Sequence, residues 1–141
     1  MKRIVRSLLF PAILSSHLAG LAQAADNPLT GVIDFHCHSG PDALQRSVSD
    51  LEIARIAQRA GLRGLVLKNH FTSTAGRAEL VRREVPGLEV FGGIVLNRAV
   101  GGLNPEAVKR MTEFEGERGK VVWLPTFDAG NHVKFFKENR P

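Results

Sequence analysis

From Gly31 onward, short apolar runs of strand length alternate with stretches of helical period. Val32-Ile33-Asp34-Phe35 opens the series as a strand. Ser49 and Glu52 then form an S-x-x-E capping box. Ile53, Ile56, Ala57 and Ala60 follow at helical spacing, and Gly61 is the stop. Gly64-Leu65-Val66-Leu67 shows no polar alternation, as expected of a strand covered on both faces. A second helix is predicted from Thr74 to Val85, ended by Pro86-Gly87, and a third strand from Leu88 to Leu96. Asn104-Pro105 reads as an N-cap with proline at the first helical position, and Ala107, Val108, Met111 and Phe114 supply the apolar face behind it. Val121-Val122-Trp123-Leu124 is the fourth strand, and a further helix could begin near His132. The order β-α-β-α-β-α-β predicts an α/β fold whose parallel strands are joined by helical crossovers.

The first 24 residues have a different pattern. Lys2, Arg3 and Arg6 form a positive start, Leu8 to Leu21 an apolar stretch too short to span a bilayer, and Ala22-Gln23-Ala24 an A-x-A cleavage site. This reads as a secretory signal, giving two segments: 1–24 as the signal and 25–141 as one domain. The expected location is periplasmic or secreted, and cytoplasmic if the N-terminus is not cleaved. Cleavage after Ala24 leaves 117 residues and no membrane segment.

Charge then changes little. The formal net charge is +5, but cleavage removes three of 19 basic residues and none of 14 acidic ones, leaving +2. The remaining bases are scattered, without a run or interleaved aromatics, which argues against a nucleic-acid partner. A composition of 43% hydrophobic and 23% charged residues suits a folded chain rather than a disordered one. With Cys37 as the single cysteine, neither an intrachain disulfide nor a Cys-rich zinc cluster is possible. No GxGxxG, P-loop or GxSxG pattern occurs, so Gly92-Gly93 and Gly101-Gly102 are not phosphate loops.

The candidate chemistry collects where each strand ends, which is where parallel α/β folds bind ligands. His36-Cys37-His38 follows the first strand. Side chains two apart on extended backbone share a face, so the two imidazoles can converge on one metal ion while Cys37 points away. Lys68-Asn69-His70 repeats that spacing after the second strand. The third strand ends near Asn97-Arg98. The fourth ends in Pro125-Thr126-Phe127-Asp128, with His132 four residues on. Asp34, two before His36, either orients an imidazole or sits in the interior of the fold. Asp128 is either catalytic or a turn former before Gly130, and His132 either a ligand or a surface residue.

At these residues the chain resembles the metal-dependent amidohydrolase superfamily and the related polymerase-and-histidinol-phosphatase (PHP) domains. The matching parts are Val32-Ile33-Asp34-Phe35-His36-Cys37-His38-Ser39, the helix end Ala60-Gly61-Leu62 and the strand running into Asn69-His70. From Ile33 to His132 the chain is similar to an uncharacterised amidohydrolase-related family with the same Lys-Asn-His and Leu-Pro-Thr-Phe-Asp segments. The resemblance implies a TIM-like barrel. A complete (β/α)₈ barrel needs ~250 residues, so these βα repeats would form about half of one. It also implies metal ligands at His36, His38 and His70, with His132 as a later match. The ion would be divalent: zinc, or else manganese or iron. Lys68 and Asp128 would be the catalytic side chains, and the substrate a small molecule. The expected reaction is hydrolysis of an amide, ester or related C–N or C–O bond by metal-activated water. Two readings stay open beside it: a PHP-type phosphoesterase, and a non-catalytic metal- or partner-binding half-barrel, inactive as a truncated chain. The missing half would come from a further C-terminal segment or a homo-oligomeric partner. Three departures from the family patterns are visible. Gly93-Ile94-Val95-Leu96-Asn97 stands where PHP domains carry a bridging Glu. Lys68 follows strand two, whereas the carboxylated lysine of amidohydrolases follows strand four. Their general-base Asp follows strand eight, which this chain does not reach.

Overall fold

The computed structural model describes residues 27–137. The segment read as a secretory signal lies outside the described residues. Among those described, no helix is long and apolar enough to cross a membrane.

The strands are β1 (Ile33–Cys37), β2 (Gly64–Leu67), β3 (Glu89–Val95) and β4 (Gly119–Trp123). The helices are α1 (Asp50–Arg59), α2 (Ala75–Glu84), α3 (Pro105–Glu113) and α4 (Gly130–Phe135), with a 3₁₀ turn at Arg98–Val100. All three pairings are parallel, and the spatial order β1-β2-β3-β4 is the chain order. The alternating βα reading is therefore correct. The predicted helix ends also hold. Glu52 N–H donates to Ser49 Oγ while Ser49 N–H donates to Glu52 Oε2 at 2.7 Å, and Asn104 accepts from Ala107 N–H.

Two expectations are corrected. β1 starts one residue later than its hydrophobic run and ends at Cys37, so His36 lies within the strand rather than past it. A bulge between Asp34 and Cys37 absorbs the difference. His132, grouped with the histidines that follow strands, lies in α4, which begins at Gly130, two residues before the point where a further helix could begin.

All the helices that pack on the sheet lie on one face. Leu65, Leu67 and Val90 pack with Ala54 and Ala57 of α1 and Ala78 and Val81 of α2, and Ile94 and Leu96 with Met111 of α3. Parallel strands laid down in chain order carry each crossover to the same side. On the other face, Ile33, Phe35, Val66, Phe91 and Val121 border a shallow cavity of about 160 Å³, and Phe35 is 63% exposed.

The paired glycines of β3 have a packing explanation. A Cβ on Gly92 would lie 2.5 Å from the Thr74 carbonyl, and one on Gly93 would lie 2.4 Å from the Trp123 ring. Both faces of β3 are approached too closely for a side chain. Thr74 uses that closeness: its Oγ1 donates to Leu67 O at 2.6 Å and accepts Gly93 N–H at 2.8 Å, tying β2 to β3 just before α2.

Candidate functional site

β1 and β2 deliver three imidazoles to one place. The bulge lets His36 and His38 turn their rings together, with Nε2 atoms 3.1 Å apart. Two ligands on one tetrahedral zinc ion, each bonded at ~2.0–2.1 Å, sit about 3.3 Å apart, so this separation suits a shared divalent ion. His70, from the end of β2, stacks on His38 at 4.6 Å and 22°. The third imidazole thus adjoins the pair without aiming at the same point. Among the described residues, no group of three or more His, Cys, Asp or Glu side chains is arranged to hold a metal ion as placed. The donor set fits an ion through two ligands, and a third requires His70 to turn.

Protonation favours ligation. Burial and the neighbouring charges of His70, Arg46, His36 and Lys68 lower the His38 pKa to about 4, and burial and Lys68 also lower that of His70. Both rings are neutral near pH 7, the state a metal ion requires. Arg46 works against this. Its guanidinium lies 3.4 Å from His38 Nδ1, and a guanidinium can only donate, so in the ion-free protein the His38 proton sits on Nε2, facing His36. Ligation through Nε2 moves that proton to Nδ1 and gives up the long Arg46 contact. Asp42 holds Arg46 in place at 2.7 Å.

The next layer centres on Asn97. Its Nδ2 donates to His70 O and Thr126 Oγ1, both at 3.0 Å, while its Oδ1 accepts from Thr126 N–H at 2.8 Å and Asp128 N–H at 3.3 Å. All four valences of this buried amide are used, so it fixes the ends of β2 and β4 relative to β3. Thr126 Oγ1 in turn lies 2.8 Å from His70 Nδ1. When His70 donates in that bond, its Nε2 lone pair is available to an ion. Asn97 appeared in the sequence only as a polar residue ending β3; no local spacing signals a four-bond hub.

Lys68 is 4% exposed, with Nζ 5.0 Å from the centre of the Trp123 ring and no carboxylate partner among the described residues. Burial lowers its pKa. The remaining candidates sit at the edge. Asp128 Oδ2 accepts Arg98 N–H at 2.9 Å, and the His132 ring packs against Phe127 and Phe136 rather than against an imidazole. Asp34 accepts the His36 backbone N–H, so it shapes the bulge rather than orienting a ring. Cys37 is buried beneath the pair, its thiol pushed up to about 11 by burial and by Asp34 and Asp50, which leaves it inert.

Below His38, Ser39 Oγ donates to Asp50 Oδ1 at 2.5 Å, and Arg77 grips both Asp50 oxygens at 2.7 Å while also donating to Ser39 O. That network clamps the residue after His38 to α1 and α2. Sequence reading missed it because its partners lie 27 residues apart.

A family model described as a family of unknown function (DUF6282) matches residues 31–141. No curated protein and no solved structure matches the chain.

Proposed function

The chain belongs to DUF6282, a family of unknown function, and from that premise we propose that it is a metal-dependent hydrolase of the amidohydrolase type. The observation that carries this reading is the His36–His38 pair, Nε2 to Nε2 at 3.1 Å, at the mouth of a parallel sheet. His36 and His38 would hold one divalent ion, zinc in the first instance, with manganese or iron as alternatives. His70 completes the set after rotating about its side chain. When bound, such an ion supplies a Lewis acid that brings the pKa of water toward ~7.

The side chains do the rest. Thr126, whose hydroxyl Asn97 holds in turn, anchors His70 at Nδ1, so the rotation that brings Nε2 to the ion would pivot about that bond. Lys68, buried and without a carboxylate to neutralise it among the described residues, offers its charge to oxygen that becomes negative as an amide or ester carbonyl is attacked. Asp128 and His132 stay at the rim, where they shape the entrance.

The finer architecture is part of the proposal. One layer of helices outside strands in chain order is the arrangement of half a TIM-like barrel. Closing such a barrel takes four further strands, which would cover the open face where Phe35 is exposed.

The test is turnover of nitrophenyl acetate, small amides and nitrophenyl phosphate by the zinc-, manganese- or iron-loaded chain. Ester or amide cleavage that disappears in His36→Ala is expected. Cleavage of the phosphate ester alone would replace this reading with a PHP-type phosphoesterase. No turnover by ion-loaded protein would leave a metal-binding module.

A further inference from the structure

All four strand-end loops contribute to a depression of about 450 Å³ bordered by Asp128 and His132, to which the hydrolytic reading assigns no ligand. One wall is aromatic: Phe71, after β2, and Phe127, after β4, lie 5.9 Å apart with planes 27° from parallel. Phe127 also meets His70 at 4.4 Å, so the wall runs without interruption into the imidazole cluster.

Arg98 borders the same depression. Its backbone N–H is fixed by Asp128 Oδ2, which sets where the side chain leaves the 3₁₀ turn. Its exposed guanidinium has no hydrogen-bond or ion-pair partner among the described residues; Arg55, Arg59 and Arg63 share that property, but none of them borders the depression. Asp128 borders the same depression, with one carboxylate oxygen already committed to Arg98 N–H.

A flat apolar wall and an unmatched guanidinium lining one depression suit a flat apolar body bearing an anionic group. The ring gains dispersion and stacking, and the planar fork of arginine matches carboxylate or phosphate. The volume suits a one- or two-ring molecule. We propose that this depression binds a small aryl anion, its ring against Phe71 and Phe127 and its charged group on Arg98. Calling that molecule the substrate rests on the hydrolase reading; the binding itself does not.

The test titrates benzoate, phenyl phosphate, benzyl alcohol and acetate into the full chain, with and without zinc, following amide and aromatic NMR shifts. Either aryl anion should bind about tenfold more tightly than benzyl alcohol or acetate, and the stronger of the two identifies the anionic group. Arg98→Gln should erase that preference and leave benzyl alcohol binding unchanged. Arg98 is exposed, and an unaltered thermal melt checks that the variant folds. Equal binding of the aryl anions and benzyl alcohol, or aryl-anion binding indifferent to Arg98→Gln, would overturn the proposal. If the anion preference holds while zinc fails to bind, the hydrolase reading falls and this site stands. Zinc binding with no anion preference has the reverse consequence.

Discussion

Among the described residues three charged side chains are buried, and they divide between two regions. In the helix layer, Asp50 is gripped by Arg77, and Glu79 by Arg82 and Arg83 with Arg118 3.7 Å away. At the strand-end mouth, Lys68 lies over Trp123 with no carboxylate, beside imidazoles that burial and neighbouring positive charge keep neutral. Matched charges in the helix layer hold parts together. The unmatched charge at the mouth is a cost that the proposed ligand would offset.

The comparison can be broken most severely at Asp50. Asp50→Ala leaves Arg77 without its partner and frees the loop after His38, and should cost about 3 kcal/mol or more of unfolding free energy in a urea titration. Lys68→Met should have the opposite sign. Removing an uncompensated buried charge while keeping the stem against Trp123 should stabilise the chain by about 1 kcal/mol, while abolishing any turnover. A loss of stability in Lys68→Met would mean the charge is matched after all.

Acid separates the two regions next. The His38 pKa is near 4 in the folded chain against 6.5 for an ordinary histidine, so the unfolded chain takes up that proton first. Stability contributed at the mouth should fall as pH drops from about 6.5 to about 4, and His38→Gln should remove that part of the profile. Glu79 is held near 2 by hydrogen bonds from Arg82 and Arg83, against an ordinary 4.5, so its contribution persists to about pH 4.5 and is lost toward 2. Hydrogen exchange at pH 5 should therefore show the strand-end loops loosened before α2.

The smallest effect is expected at Arg46. Arg46→Met removes the donor that keeps the His38 proton on Nε2, and should tighten zinc binding several-fold in a competition assay.

How much of this was legible along the chain follows from how local each signal is. The capping box at Ser49, the N-cap at Asn104 and the apolar runs of β2 and β3 are contained within a few residues, and all appear as read. The pairing of His36 with His38 was legible for the same reason. The position of His70 relative to them was not, because it depends on how β2 registers against a bulged β1. Asn97 and the Asp50–Arg77 clamp were invisible for a further reason: their partners are 27 residues or more away, and their residue types are ordinary in loops and helices. The Gly92-Gly93 pair could be excluded as a phosphate loop, but its actual cause, Thr74 on one face and Trp123 on the other, exists only in the packed sheet.

Zinc titration against a chromophoric chelator tests the central claim most directly, comparing the native chain with the His36→Ala/His38→Ala double variant. The native chain should hold about one equivalent, and the double variant, still folded by its thermal melt, should hold none. Equal zinc binding by both, or none by the native chain, would contradict a metal centre built on that pair.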